Sequence, residues 1–533
     1  MNEEIQKRRT FAIISHPDAG KTTLTEKLLL YSGAIDLAGS VRAKKDQRQT
    51  TSDWMELERQ RGISVTSTVL QFDYNGFTLN LLDTPGHEDF SEDTYRTLTA
   101  ADNAVMLIDA AKGIEPQTRK LFDVCRMRGI PIFTFINKMD RPSREPLELL
   151  DELESVFGIR TFAMNWPLGN GSTFRGVYDR KARLMSLFER TQHGATKAPV
   201  VVTAPDSPEC AALTDKATHK QFLDEMELIE MAGEDFDHDQ VMNGKLTPVF
   251  FGSAVNNFGL KLFLDSFLSL ADPPGPRPTA DGFVEPDYPH FTGFVFKIQA
   301  NMDPKHRDSV AFLRVCSGKF EKDVQVHHSR LGTKIRLSRP HKLFARDRDV
   351  VEEAYPGDIL GLVNPGTFAI GDSVSANGLV RFEGIPRFAP EHFGILRSPD
   401  PSAYKKFQKG LDQLTQEGVV QVFYPDGYGA AREPILAVVG KLQFDVIQFR
   451  LQGEYGVETI LDRLDMKYAR WIDGGENAMK DITVPRGSRL VEDTDGRKAV
   501  LVDGDWALGY VKDKNPDLKF LEVAPALKTY INK

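Results

Sequence analysis

At 533 residues the chain is too long for a single hydrophobic core, so roughly two to four domains are expected. With 41% hydrophobic and 27% charged residues it has the make-up of an ordinary globular protein, and no apolar run is long enough to span a bilayer. A net charge of −9 argues against a generic nucleic-acid coat, because counterion release needs clustered positive charge, yet it leaves room for a large ribonucleoprotein touched through local basic patches.

The first nine residues are mostly polar and charged, contain no apolar h-region and run straight into a strand-like 10–14, so no apolar leader is read and a cytoplasmic location is expected. Residues 21–31 follow as a helix opened by a turn at Gly20. Residues 67–74 and 77–82 form a hairpin across Asn75-Gly76, a two-residue turn that prefers positive φ. Residues 103–109 and 131–136 are further apolar strands, each followed by turn residues and a helical period. Strand-helix alternation of this kind predicts an α/β doubly wound sheet, and the phosphate-loop motif described below makes it a P-loop nucleotide-binding domain. Residues 248–251 add one more strand, followed by Gly252, Ser253 and Ala254. The stretch between, 158–247, is polar and reads as an irregular insertion with helical pieces near 206–232. The proline-rich 272–278 can continue neither a helix nor a ladder and reads as a stiff linker. Beyond it, 283–385 is strand-rich and turn-punctuated, which predicts a closed β-barrel, and 391–533 mixes helix and strand. The expected organisation is a nucleotide domain over 1–275, a β-barrel domain over 276–388 and an α+β C-terminal domain over 389–533. Cys125, Cys210 and Cys316 are far apart, show no metal-ligand spacing and read as buried thiols.

Three motifs follow three of these strands. The first is Ser15, His16, Pro17, Asp18, Ala19, Gly20, Lys21, Thr22 and Thr23, a phosphate-loop pattern with Ser15 in place of its first glycine. Consecutive backbone N–H groups and a helix N-terminus make a positive concavity for β- and γ-phosphates. Lys21 adds a point charge and Thr22 a hydroxyl for Mg²⁺, a hard cation that prefers oxygen. Asp18 is open between a monovalent-cation ligand and a helix cap. The second motif is Asp83, Thr84, Pro85, Gly86 and His87. Asp83 can hold Mg²⁺ through a water, Gly86 lets its backbone approach a γ-phosphate, and His87 can orient the attacking water. The third is Asn137, Lys138, Met139 and Asp140, in which the Asp140 carboxylate accepts from guanine N1–H and the exocyclic amine together. Ser253 and Ala254 are expected to present a backbone N–H to guanine O6. GTP or GDP is therefore the expected nucleotide, with Lys21 and His87 as the catalytic pair. Between them, Arg61, Gly62, Ile63 and Ser64 read as a switch loop ordered by γ-phosphate and Mg²⁺, with Ser64 a second hydroxyl ligand. Lys405, Lys406, Lys409, Arg432, Lys441 and Arg450 could form an RNA-facing surface or a solvated helix face.

With these motifs the chain resembles the translational GTPases. Residues 83–87, the loop at 18–23 and Arg61-Gly62-Ile63 carry the match, followed by a barrel where that family has its second domain. Longer stretches, 88–96, 291–308 and 352–361, resemble the members that act in termination. Only about 140 residues follow the barrel, room for one α+β domain rather than the several of a translocating factor. Ser64 stands where most relatives have threonine; the hydroxyl survives but the methyl that stiffens χ1 is lost. The resemblance implies a ribosome-stimulated, Mg²⁺-dependent GTPase that acts after peptide release. Its implied partners are the ribosome and class I release factors, with no membrane or DNA and a monomeric state. Two alternatives share the same nucleotide chemistry. One is another translational GTPase, of elongation-factor or tetracycline-protection type; the other is a regulatory GTPase subunit of a metabolic enzyme.

Overall fold

The computed structural model describes residues 1–34, 67–87, 89, 91–188, 200–231, 235–300, 309–338, 340–341, 350–385, 389–425, 433–474 and 481–524. The first unit is built on strands β1 (Arg8–Ile14), β2 (Thr68–Tyr74), β3 (Phe77–Asp83), β4 (Asn103–Asp109), β5 (Ile132–Asn137) and β6 (Arg160–Ala163). An inserted sheet follows, formed by β7 (Asn165–Leu168), β8 (Gly176–Asp179), β9 (Leu184–Phe188) and β10 (Val200–Thr203), and the main sheet is completed by β11 (Leu246–Phe251). The main sheet runs β2-β3-β1-β4-β5-β11-β6. Only the β2–β3 hairpin is antiparallel; every other neighbouring pair is parallel. Strands β1, β4, β5 and β11 are buried at every position, as strands covered by helices on both faces must be. Because they are parallel, their C-terminal ends and that of β3 share one edge, and the three motifs leave from that edge. The Asn75–Gly76 turn has φ of 48° and 81°, the positive values that these two residue types tolerate.

The 158–247 stretch departs from its expected irregularity. β6 joins the edge of the main sheet, and β7 to β10 form an antiparallel sheet of their own. Trp166, Phe174 and Val177 are fully buried there. Its strands are only four or five residues long, too short for a periodic signal to stand out of a polar background. The linker differs as well. Arg277–Thr279 pairs with Gly282–Val284, putting Pro278 inside a short ladder. Proline lacks only the N–H, and the Pro278 carbonyl still pairs on the outer side of the strand by accepting the Glu383 N–H at 3.1 Å.

The second unit is a seven-stranded antiparallel sheet centred on Thr292–Gln299, Ser309–Ser317 and Ile359–Asn364. Its strands send Val295, Leu313, Val326, Leu360 and Val374 into one apolar cluster, the interior expected of a barrel. The third unit is an eight-stranded sheet with helices Tyr404–Gln416 and Leu442–Tyr455 packed on it through Phe407, Leu411, Phe444 and Ile447. The three cysteines are buried, and burial pushes the Cys125 and Cys316 thiols up to about 12.

All three units meet at the helix Ser91–Thr99. Lys297 of the second unit is buried and donates to the carbonyl and, at 2.8 Å, the hydroxyl of Ser67. Ser67 in turn donates to Asp93 Oδ2 through its N–H (2.8 Å) and its hydroxyl (2.7 Å). From the same helix, Arg96 donates to the Glu417 and Gly418 carbonyls of the third unit at 3.2 and 3.0 Å.

Candidate nucleotide site

The turn after β1 places its left-handed residues at Asp18 (φ 66°) and Gly20 (φ 105°). Ser15 needs no positive φ, so the missing first glycine imposes no strain; the serine is fully buried and its hydroxyl donates to the His16 carbonyl at 2.8 Å. His16 is held by Thr118 Oγ1 on its N–H at 3.2 Å and by Glu115 at 3.1 Å from Nε2. The helix Lys21–Ser32 receives no side-chain cap, which removes the capping role for Asp18. Asp18 is exposed, and its carbonyl accepts Lys138 Nζ at 2.5 Å. Pro17 and Thr23 are half-buried, Ala19 is buried, and Thr22 is exposed.

Lys21 Nζ is buried with no hydrogen-bond partner. Burial lowers its pKa to about 8, against the opposing pull of Asp83. One oxygen of Asp83 is likewise buried and unpaired; burial pushes its carboxyl up to about 6 although the Lys21 charge opposes the shift. Gly86 lies against this pair. A Cβ at Gly86 would sit 2.5 Å from Lys21 Nζ and 3.3 Å from the Pro17 backbone, so only glycine leaves the ammonium in place. Thr84 donates to the Ile13 carbonyl at 2.7 Å, tying this loop to β1, and Pro85 is buried. His87 is one-third exposed, and its Nδ1 accepts the Asp89 N–H at 3.2 Å.

Asn137, at the end of β5, is buried and bridges two loops. Its amide donates to the Ala19 carbonyl at 2.9 Å, and its Oδ1 accepts the Ala254 N–H at 2.9 Å. Lys138 (φ 70°) spans from Asp18 to Asp109 Oδ2 at 2.7 Å. Met139 is fully buried in the apolar core, so its part is to carry the loop. Asp140 is half-buried, and its carboxylate has no partner among the described residues. The expectation for Ser253 and Ala254 needs correction. Ser253 N–H is committed to the Phe258 carbonyl at 3.0 Å and Ala254 N–H to Asn137, because both residues close the turn after β11. Val255 supplies the next N–H, and it takes no partner among the described residues. Sequence reasoning also missed Asp109 and Glu115, although an acid ending an apolar strand beside the other motifs was a usable signal for Asp109.

Arg61, Gly62, Ile63, Ser64 and Arg432 lie outside the described residues. Arg450 is not RNA-facing: it is buried and forked onto Glu417, at 2.5 and 3.0 Å, with Glu454 at 2.5 Å. Lys405, Lys406, Lys409 and Lys441 are exposed.

A buried cation and carboxylate oxygen without partners, a glycine-lined approach and an open carboxylate beside the base loops together fit a nucleoside triphosphate accompanied by a hard divalent cation. Comparison with known proteins agrees. Residues 6–273 match the family described as "Elongation factor Tu GTP binding domain", and residues 290–377 match "Elongation factor G domain 2". The fold and site thus define a GTP-hydrolysing translation factor. Residues 382–512 match "Class II release factor RF3, C-terminal domain". Peptide chain release factor 3 of Gloeobacter violaceus is 60% identical over 523 residues, covering 98% of both chains. The proteins of that name from Synechococcus elongatus and Acaryochloris marina are 57% and 58% identical over 98% of this chain, covering 94% and 96% of their own. This chain belongs to the peptide chain release factor 3 family. A solved structure from Thermus thermophilus shares the fold at a TM-score of 0.67 and 23% identity, over 92% of this chain and 72% of its own.

Proposed function

We propose that the chain is a ribosome-dependent GTPase that promotes dissociation and recycling of class I release factors after peptide release. The observation that carries this is the buried, unpartnered Lys21 ammonium beside Gly86 in a chain whose third unit matches the class II release factor model. The three units are read as 1–275, 276–388 and 389–533. The chain acts as a monomer in the cytoplasm, with neither membrane nor DNA as partner, and among the described residues no helix is long and apolar enough to cross a membrane.

Residues 15–23 wrap the phosphates, with the Lys21 ammonium between the β- and γ-groups. Asp140 accepts two hydrogen bonds from guanine. Each charge-assisted bond contributes about 1.5–3 kcal/mol, and adenine offers no matching donor pair. Asn137 and Lys138 hold the base loops against the phosphate loop. Thr22, Asp83 through a water, and Ser64 would hold Mg²⁺, which supplies charge neutralisation on the phosphates when bound. His87 orients the attacking water, and the Gly86 N–H approaches the γ-phosphate. GTP acts on the domain arrangement only as far as it binds the closed form better than GDP does. The closed form expels the class I factor, and hydrolysis then releases this protein.

Multiple-turnover GTP hydrolysis with and without ribosomes, run beside release of a labelled class I factor from post-termination complexes, tests the proposal. Stimulation together with faster factor release supports it. Stimulation without factor release points to another kind of translational GTPase, and absence of stimulation removes the ribosome from the account.

A further inference from the structure

The helix Leu442–Tyr455 of the third unit has no cap of its own: Lys441 stands at the capping position and makes no side-chain bond to it. The missing acceptor comes from another unit. Asp89 Oδ2 accepts the Leu442 N–H at 2.7 Å, a carboxylate on the positive end of a helix and a favourable arrangement for both charge and hydrogen bonding. The fit around it is close. A Cβ built on Gly440 would fall 2.2 Å from Asp89 Cγ, so the turn before the helix is shaped to admit this one side chain. Gln443 completes the turn by accepting the Val439 and Gly440 N–H groups, both at 2.9 Å. Meanwhile the backbone N–H of Asp89 donates to His87 Nδ1 at 3.2 Å. A ring whose Nδ1 accepts carries its hydrogen on Nε2 when neutral, so this bond favours one orientation and one tautomer of the imidazole, with Asp89 Oδ1 at 3.9 Å from the same nitrogen. One residue therefore grips the third unit with its side chain and His87 with its main chain.

We propose that Asp89 is a positioning residue through which the C-terminal domain sets the orientation of His87 for GTP hydrolysis, an inference that rests on the role given to His87 above. When the third unit is seated, the capped helix fixes Asp89, and the Asp89 N–H presents the ring in one orientation. When it moves away, the carboxylate loses its partner and Asp89 is no longer held from outside. Orientation of this kind acts on the chemical step and leaves nucleotide binding alone, because among the described residues the hydrogen bonds of Asp89 go to His87 and Leu442, and not to the phosphate loop or the base loops.

The test uses the full-length protein with Asp89→Ala, Asp89→Asn and Gly440→Ala, and measures ribosome-stimulated kcat, KM for GTP, and affinity for a fluorescent GDP analogue. Asp89→Ala removes the acceptor, whereas Gly440→Ala displaces an intact Asp89 from a position outside the nucleotide site. Both are expected to lower kcat about tenfold or more with KM and GDP affinity changed less than about twofold. Asp89→Asn keeps an oxygen for the Leu442 N–H and is expected to recover most of the lost rate. His87→Ala run in parallel separates the two levels of the account. Loss of turnover in His87→Ala with wild-type kcat in Asp89→Ala and Gly440→Ala overturns the positioning role alone. Wild-type turnover in His87→Ala overturns the role of His87 and the inference with it. A fall in nucleotide affinity that matches the fall in kcat also overturns the proposal, since Asp89 would then support the pocket as a whole.

Discussion

The side-chain amide of Asn137 donates to the Ala19 carbonyl at 2.9 Å, joining the base loop to the phosphate loop across 118 residues of sequence. The same side chain accepts the Ala254 N–H, so one buried residue fixes the relative position of three loops. A pocket that must recognise base and phosphates at once needs this spacing held before the nucleotide arrives.

Asn137→Ala leaves the Ala19 carbonyl and the Ala254 N–H unpaired in a buried place. Unsatisfied groups of this kind cost about 1–3 kcal/mol each. GDP and GTP affinity are expected to fall together, by roughly ten- to a hundredfold. Titration with a fluorescent guanine nucleotide checks this, and unchanged affinity would show that the loops keep their spacing without the bridge.

Gly86→Ala puts a methyl 2.5 Å from Lys21 Nζ. Either the ammonium shifts or the loop does, and both disturb the γ-phosphate side of the pocket. GTP affinity is expected to weaken by about tenfold while GDP affinity holds more nearly constant. Competition titrations of the two nucleotides measure the difference; equal losses would place the clash elsewhere.

Asp93 ties the helix Ser91–Thr99 to Ser67 and Lys297. Burial pushes its carboxyl up, but the Lys297 and Arg96 charges and two bonds from Ser67 outweigh that and hold its pKa below the ordinary 3.8. A depressed folded-state value stabilises the fold above the unfolded value, near 3.8, and that contribution is lost as pH falls through the lower folded-state value. Asp93→Asn should therefore melt below the wild type at pH 7, with the gap closing in strong acid. Thermal melts taken from pH 7 down to about pH 2, through the unfolded value near 3.8 and below it, decide it. A gap independent of pH would remove the ionised carboxylate from the explanation.

Glu417 accepts the forked guanidinium of Arg450 and the Ala300 N–H, all buried. Glu417→Ala strands part of a buried cation and is expected to destabilise the second and third units by about 3 kcal/mol. Denaturant unfolding monitored at Trp471, buried in the third unit, reads the loss. A change under about 1 kcal/mol would mean that Glu454 alone satisfies the arginine.

Much of this was legible in the sequence because the signals were local. Buried parallel strands read as unbroken apolar runs, and the motif residues each follow such a strand, so β1, β3, β4 and β5 and their loops stood out. The small inserted sheet was missed because strands of four or five residues give no countable period. Arg450 looked like a surface cation because its partner Glu417 lies 33 residues away, and only the packing of helix on helix brings them together. The internal bonds of Ser253 and Ala254 were equally hidden, being set by Phe258 and Asn137. Contacts between units, such as Asp89 with Leu442, leave no mark in a single sequence.

In the proposed cycle GTP binding expels the class I factor, and hydrolysis, a separate step, releases this protein. The most direct measurement is release of a labelled class I factor from post-termination ribosomes by His87→Ala with GTP, followed at substoichiometric and at excess protein. The account predicts one round of factor release per molecule and no further turnover, with GTP binding intact. Repeated rounds at the wild-type rate would contradict the assignment of hydrolysis to His87, and no release even in excess would contradict the claim that binding alone drives the first round.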